Sequence, residues 1–227
     1  MHILIVGCGK LASAIIAACE EHNVSVSQYD PKQPRPMDDA VCIHTGSGRQ
    51  LDDALALCCD QGAPFIMAST GLHEQPLFNA AKRIPVVRAP NLAFPVIYLL
   101  NQLVQLRDYL EPQFFNWEAW VTESHQSTKT SVPGTLWKIQ EILNIPNENT
   151  RSIRDRGEQL ALGVPEENLD WHAWHMITVE VSGVPLEYSC KINGGAPYGH
   201  GAVAVAKLLR SSPFLPRIHD VIDLLAH

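Results

Sequence analysis

The sequence predicts an α/β protein in two parts. A doubly wound parallel sheet flanked by helices comes first, and an α+β segment with an open mixed sheet follows. Three observations carry this expectation. A short apolar run, residues 2–6, meets the glycine turn Gly7-Cys8-Gly9, which opens an apolar helix. Short apolar runs and helix-period segments then alternate as far as Arg88. Beyond about Phe94 the alternation stops, and aromatic and β-branched runs replace it.

Each element follows in order. Residues 2–6 read as a strand and 11–19 as a helix of small and apolar residues. Gly7, Gly9 and Ala12 between them have the GxGxxA spacing of a Rossmann-type dinucleotide loop. Gly7 permits the tight turn, and Gly9 lets backbone approach a pyrophosphate stabilised by the helix start. Ala12 is small enough for the helix to pack on the strand. Cys8, Lys10 and Leu11 complete the candidate cofactor loop. Cys8 either is reactive at the helix start or fills the small space beside the pyrophosphate.

The next strand, 24–29, ends at Asp30. An acidic residue about 20 positions after the glycine turn can accept bonds from the ribose hydroxyls of NAD. Asp30 favours NADH over NADPH, and Lys32 and Arg35 close by soften that preference. The alternative role for Asp30 is to open the turn before Pro31. Further strands are expected at 40–44, 64–68 and 85–88, with helices at 51–59 and 76–82. These strands end in Thr45-Gly46-Ser47-Gly48, Ser69-Thr70-Gly71 and Ala89-Pro90-Asn91. A parallel sheet binds its ligand beside the carboxyl ends of its strands. Thr45, Ser69, Thr70, Ala89, Pro90 and Asn91 therefore join the candidate cofactor contacts.

The second half reads as a long helix at 94–109, a strand at 114–123 and a helix at 135–143. Two strands, 176–181 and 186–192, flank the hairpin-like break 182–185. Residues 144–170 read as loop with at most short helix, and 201–210 and 218–225 as closing helices. An open sheet needs its free face covered, and self-association is one way to cover it.

The stretch from Glu123 to Thr135 is the richest in chemistry. His125 titrates near neutrality, and Lys129 is a cation. Pro133-Gly134-Thr135 leads into a helix whose first N–H groups can hold a carboxylate. An imidazole, an ammonium and an anion-binding helix start suit reduction of a carboxylate-bearing C=N or C=C bond. A solvated loop with a Thr cap would have the same composition. His172 and His175 have HxxH spacing without a clear third ligand, so they read as structural and no metal site is expected. The glycine-rich run 191–201 reads either as a flap over a ligand or as a plain turn between domains.

Composition narrows the classes. The 227 residues carry 17 Lys+Arg against 24 Asp+Glu, a net charge of −7, which argues against a nucleic-acid binder. The most apolar stretch, 92–100, contains Pro95 and is too short to span a membrane. The N-terminus begins on a strand pattern without the features of a signal peptide. The six cysteines lack CxxC spacing and fit a reduced, cytoplasmic protein.

Taken in order, several of these segments resemble the dihydrodipicolinate reductase (4-hydroxy-tetrahydrodipicolinate reductase) family of the lysine pathway. Residues 7–12 resemble its dinucleotide loop, and Ala68-Ser69-Thr70-Gly71 its GTTG turn. Val86 to Asn91 resembles its strand and APN motif, and 123–135 its E-x-H-H-x-x-K-x-D-x-P-S-G-T signature. Gly199-His200-Gly201-Ala202 resembles the start of its returning helix, and 213–225 its final helix. The resemblance implies a nucleotide domain, 1–92 with 200–227, completed by both chain ends. It implies a substrate-binding and tetramerisation domain at 93–199. It implies that His125 and Lys129 handle protons, and that Gly134 and Thr135, with Gln126 beside them, hold the substrate. The implied reaction is hydride transfer from NADH or NADPH to a cyclic unsaturated dicarboxylate in a cytoplasmic homotetramer, a homodimer being the alternative.

The chain also departs from the pattern. Gln126 replaces the second histidine and Ser131 the aspartate. The loop before Gly134 is one residue shorter, and Gly194-Gly195 stands in the region where the family often carries a substrate-contacting Arg. Two rival functions follow from these departures. One is a related imine or amino-acid dehydrogenase; the other is a dinucleotide-binding regulator without catalysis.

Overall fold

The computed structural model describes residues 1–32, 38–69, 74–113, 115–129 and 133–224. The chain divides into two compact units, Met1–Phe94 with Gly195–His227, and Pro95–Gly194.

The first unit is built on a six-stranded sheet, wholly parallel, whose strands are β1 (His2–Val6), β2 (Ser25–Gln28), β3 (Ala40–His44), β4 (Phe65–Met67), β5 (Val86–Arg88) and β10 (Ile218–Asp220). Their order is β10-β5-β4-β3-β1-β2. β1 lies between β2 and β3, so the chain reverses direction across the sheet beside β1. That reversal opens a crevice at the carboxyl end of β1. Helices α1 (Lys10–Glu21), α2 (Leu51–Gln61), α3 (Gln75–Ala80), α7 (Ala196–Ser211) and α8 (Val221–Leu224) complete the unit. All five residues of β3 are buried, as a parallel strand covered on both faces requires. One core face gathers Leu4, Val6, Cys42, Leu55, Phe65 and Val86.

The second unit holds α4 (Phe94–Leu110, entered from the boundary) and a four-stranded sheet of order β7-β6-β8-β9. Its strands are β6 (Trp117–His125), β7 (Thr150–Ile153), β8 (His172–Val181) and β9 (Val184–Asn193). β7 runs parallel to β6, and the other pairs are antiparallel. Helices α5 (Gly134–Leu143) and α6 (Arg156–Leu162) belong to this unit. β8 and β9 are joined by Ser182-Gly183, both at positive φ, the two-residue turn that matches strand twist.

Two expectations need correction. Residues 144–170 contain a strand, β7, beside the expected short helix, α6. β7 is an edge strand with two exposed central residues, so it lacks the apolar signal of an inner strand. Residues 218–220 are strand, because they add to β5 in parallel register, and Val221–Leu224 is helical; Leu225 lies outside the described residues. Of the run 191–201, Gly194-Gly195 is the turn between units that the sequence allowed, while 191–193 end β9 and 196–201 open α7. Gly199 and Gly201 sit inside α7 because a Cβ there would collide with the carbonyls of Ala14 and Leu92. Close helix packing, not loop chemistry, explains those glycines.

Candidate active site

In the first unit the described candidate cofactor residues sit at carboxyl ends of the parallel strands or at the start of α1. Gly7 follows β1 with φ +125°, and a Cβ there would lie 2.6 Å from Thr45 Oγ1. Both facts demand glycine. Gly9 caps α1 without a side-chain hydrogen bond, and a Cβ there would meet nothing within 4 Å. The space before this 12-residue helix is therefore open to an anion. Cys8 and Lys10 are exposed and Leu11 is half-buried. The Thr45 N–H and hydroxyl both donate to the Val6 carbonyl, at 2.8 and 3.2 Å, which ties the ends of β1 and β3 together.

Asp30 is exposed just beyond β2, and its Oδ1 accepts from the Lys32 N–H at 2.9 Å. It therefore shapes the turn, and its carboxylate also stands at the strand end. Ala89 is buried, so its backbone alone could reach a ligand. Pro90 is exposed, and Asn91 Oδ1 accepts from the Ala93 N–H at 2.8 Å. Thr70 lies outside the described residues. Ser69 bonds to a residue the sequence reading passed over. His44 is buried at the end of β3; its Nε2–H donates to the Arg49 carbonyl at 3.3 Å. Its Nδ1 then accepts from the Ser69 hydroxyl at 2.9 Å. Burial pushes the His44 pKa down, consistent with this neutral tautomer.

In the second unit β6 carries Glu123 and His125 on one face, because alternate residues of a strand point the same way. His125 is 8% exposed and Glu123 fully buried. A buried carboxylate is costly unless paired. Here it accepts from His125 Nδ1 at 2.6 Å and from both terminal nitrogens of Arg154, at 2.6 and 3.1 Å. Burial alone would raise the Glu123 pKa. Hydrogen bonds from His125, Arg154 and Ser152 outweigh it and bring the value down to about 2. Arg154 arrives because parallel pairing sets Ser152 opposite Glu123, which carries the chain just past β7 to the same place.

This pairing fixes the tautomer of His125. Nδ1–H is committed to Glu123, so Nε2 carries the lone pair. Burial lowers the His125 pKa; Glu123 partly restores it, and the charges of Lys129 and Arg154 lower it further. Gln159 Nε2 donates to the His125 carbonyl at 2.7 Å and pins the end of the strand. His175, directly opposite Glu123, packs edge-on against the His125 ring at 5.4 Å.

The turn after β6 brings Gln126 and Lys129 together: the Lys129 N–H donates to the Gln126 carbonyl at 2.9 Å. Lys129 is half-buried. Gly134, exposed, and Thr135, half-buried, open α5 after Pro133, with no side-chain cap. Ser131 lies outside the described residues. Gly194 is at φ +72°, which a side chain such as Arg would adopt only with strain. The HxxH histidines point to opposite faces of β8, as i and i+3 on a strand must. His172 Nδ1–H donates to the Asn168 carbonyl at 3.1 Å, and its Nε2 accepts from the Ser124 hydroxyl at 2.8 Å. His172 and His175 cannot share one ion from those positions, in keeping with structural roles.

Sequence reasoning missed Arg154, Gln159 and His175 as supports of His125. Glu123 had a signal, its i−2 spacing from His125 on a strand. Arg154 had none, because its position depends on how β7 pairs.

No protein-family model matches the chain. Over 184 residues the chain is 32% identical to the Oryza sativa subsp. japonica protein named "Probable 4-hydroxy-tetrahydrodipicolinate reductase 1, chloroplastic". It is 30% identical over 200 residues to the second rice protein of that name, number 2. The matches cover 74% and 82% of this chain, and 53% and 62% of the two relatives. The chain thus spans between half and two thirds of their length. Among solved structures, the dipicolinate-bound dihydrodipicolinate reductase from Paenisporosarcina sp. TG-14 shares the fold. Its TM-score is 0.70, with 13% identity and 99% of each chain covered.

Proposed function

We propose that this chain, a divergent member of the 4-hydroxy-tetrahydrodipicolinate reductase family, reduces a cyclic unsaturated dicarboxylate with NADH or NADPH. The product would be tetrahydrodipicolinate, for lysine and diaminopimelate synthesis. The observation that carries this reading is the Glu123–His125 pair, locked by Arg154, at the head of the turn that bears Lys129.

A dinucleotide fits the first unit on its own geometry. Gly7 has no room for a side chain, Gly9 faces open space, and the start of α1 lacks a side-chain cap. Gly7, Cys8, Gly9, Lys10 and Leu11 would hold the pyrophosphate, and Asp30 a ribose. Thr45, Ser69, Ala89, Pro90 and Asn91 would line the remainder. When bound, the nicotinamide supplies hydride. The chain's own residues supply the rest. Glu123, held as an anion, keeps His125 Nδ1–H engaged, so proton exchange is confined to Nε2. Lys129 gives a proton or a positive charge to the substrate. Gly134 and Thr135 at the start of α5 would receive one carboxylate, with Gln126 beside it.

Exposed Val184 and Leu186 on the edge strand β9 support self-association, which we read as a homotetramer with a homodimer as the alternative. All six cysteines are free, which supports a reducing compartment such as the cytoplasm. Among the described residues no helix is long and apolar enough to cross a membrane.

The test is steady-state oxidation of NADH with freshly prepared hydroxytetrahydrodipicolinate. Turnover supports the reading. No turnover by folded protein that binds NADH overturns the substrate. Cyclic imino acids, and oxo acids with ammonia, then test the related dehydrogenase. Absence of turnover with all of them leaves the regulator.

A further inference from the structure

We propose that Glu21, His22 and His200 form a binding site for a divalent transition metal of the Zn²⁺ class, in the first unit where α1 ends and α7 begins. His22 follows the last residue of α1, and His200 is in the second turn of α7. The two residues are 178 apart in sequence, yet His22 Nε2 and His200 Nδ1 are 3.0 Å apart. The Glu21 carboxylate lies 3.4 Å from His200 Nε2. One donor atom from each of the three residues falls within 4.8 Å of the others.

The His22 Nε2–His200 Nδ1 separation suits one ion, whereas Glu21 contacts the other ring nitrogen of His200, Nε2. Two imidazole nitrogens on a tetrahedral zinc, each at about 2.0–2.1 Å, stand about 3.3 Å apart. A small rotation of the rings closes the difference, and the Glu21 carboxylate, one of three donors within 4.8 Å of one another, turns from Nε2 to the ion. Two imidazoles with one carboxylate, and a position left for water, match a three-ligand zinc set. Imidazole donors favour Zn²⁺, Ni²⁺ and Cu²⁺ over Mg²⁺ and Ca²⁺.

The backbone holds the ligands in place without the ion. Gly199 and Gly201 flank His200, and neither has room for a Cβ against the carbonyls of Ala14 and Leu92. The backbone around His200 is thereby seated against α1 and the segment after β5, and binding has little backbone to order. The ion would tie the N-terminal segment of the sheet unit to its returning C-terminal helix.

The experiment titrates the metal-free full chain with ZnCl₂ by calorimetry, alongside thermal unfolding with and without Zn²⁺. One Zn²⁺ per chain and a raised Tm are expected for the wild type, because a ligand of the folded state stabilises it by mass action. His22→Ala and His200→Ala should each weaken binding about tenfold or more, about 1.4 kcal/mol. Glu21→Gln should weaken it less, and MgCl₂ should give no heat. Circular dichroism of the exposed-site variants checks that they fold. Absence of Zn²⁺ binding in the wild type overturns the proposal. So does binding that survives His22→Ala with His200→Ala, whether or not it is lost when exposed Cys8 is changed to Ser.

Discussion

The two units position their candidate functional residues in different ways. In the first, the candidate contacts follow from one rule of chain geometry, that parallel strands end on the same edge of the sheet. Residues adjacent to each strand end, such as Thr45 and Asn91, are placed by the strand itself. In the second, His125 depends on partners supplied from elsewhere. Glu123 is two residues away, but Arg154 and Gln159 come 29 and 34 residues later, and His175 comes from the neighbouring strand. A local motif can mark the first kind of site. The second is assembled by pairing, and its chemistry rests on a buried charge network.

Breaking each unit's device should therefore give different signatures. The largest effect is expected for His125→Ala, a loss of about 10³-fold in kcat with hydroxytetrahydrodipicolinate, and Lys129→Ala should cost about 10²-fold. Fluorescence titration should find NADH affinity nearly unchanged in both. Equal loss of binding and turnover would mean that their role is misassigned. Gly7→Ala should do the reverse. The added Cβ meets Thr45 Oγ1 at 2.6 Å and the φ is +125°, so NADH affinity should fall about tenfold or more. The strain should also cost about 1–3 kcal/mol of stability in denaturant unfolding.

The same contrast decides what could be read from the sequence. The alternation of strands and helices up to Arg88 was legible, because apolar period and turn residues are local signals. So were the glycine turn between β1 and α1 and the place of Lys129 between a strand and a helix. β7 was not, since an edge strand with exposed Arg151 and Ser152 has no inner-strand pattern. The short strand Ile218–Asp220 gains its identity from β5, not from its own residues. The start of α7 was hidden because its glycines serve close packing against Ala14 and Leu92. Arg154 was invisible as a partner of Glu123 for the same reason that β7 was.

Acid should expose the second unit's network. Glu123 is lowered from its ordinary 4.5 to about 2, and His175 from 6.5 to about 3, the latter by burial first and the His125 charge second. Both lowered values mean that the unfolded chain binds more protons. The stability from each group is full above its ordinary pKa and is lost as pH falls through its folded value. Urea unfolding from pH 7 to pH 3 should show a decline that begins near pH 6.5 and steepens below 4.5. A flat profile would contradict the network. The smallest effect is expected for His175→Leu, which replaces a buried ring whose nitrogens have no hydrogen-bond partner among the described residues. It should raise stability by about 1 kcal/mol at pH 5. It should also reduce the decline between pH 6.5 and 4.5 without abolishing it. His44, His125 and His172 are shifted in the same direction and remain.

The most direct test of the account is Glu123→Gln, read as NADH oxidation with hydroxytetrahydrodipicolinate beside NADH affinity. The amide keeps the shape of the side chain and removes the charge that fixes the tautomer of His125. Turnover by the wild type, a loss of about 10²-fold in kcat for the variant and an unchanged dissociation constant for NADH are expected. Wild-type turnover that survives intact in a folded Glu123→Gln protein would contradict the account.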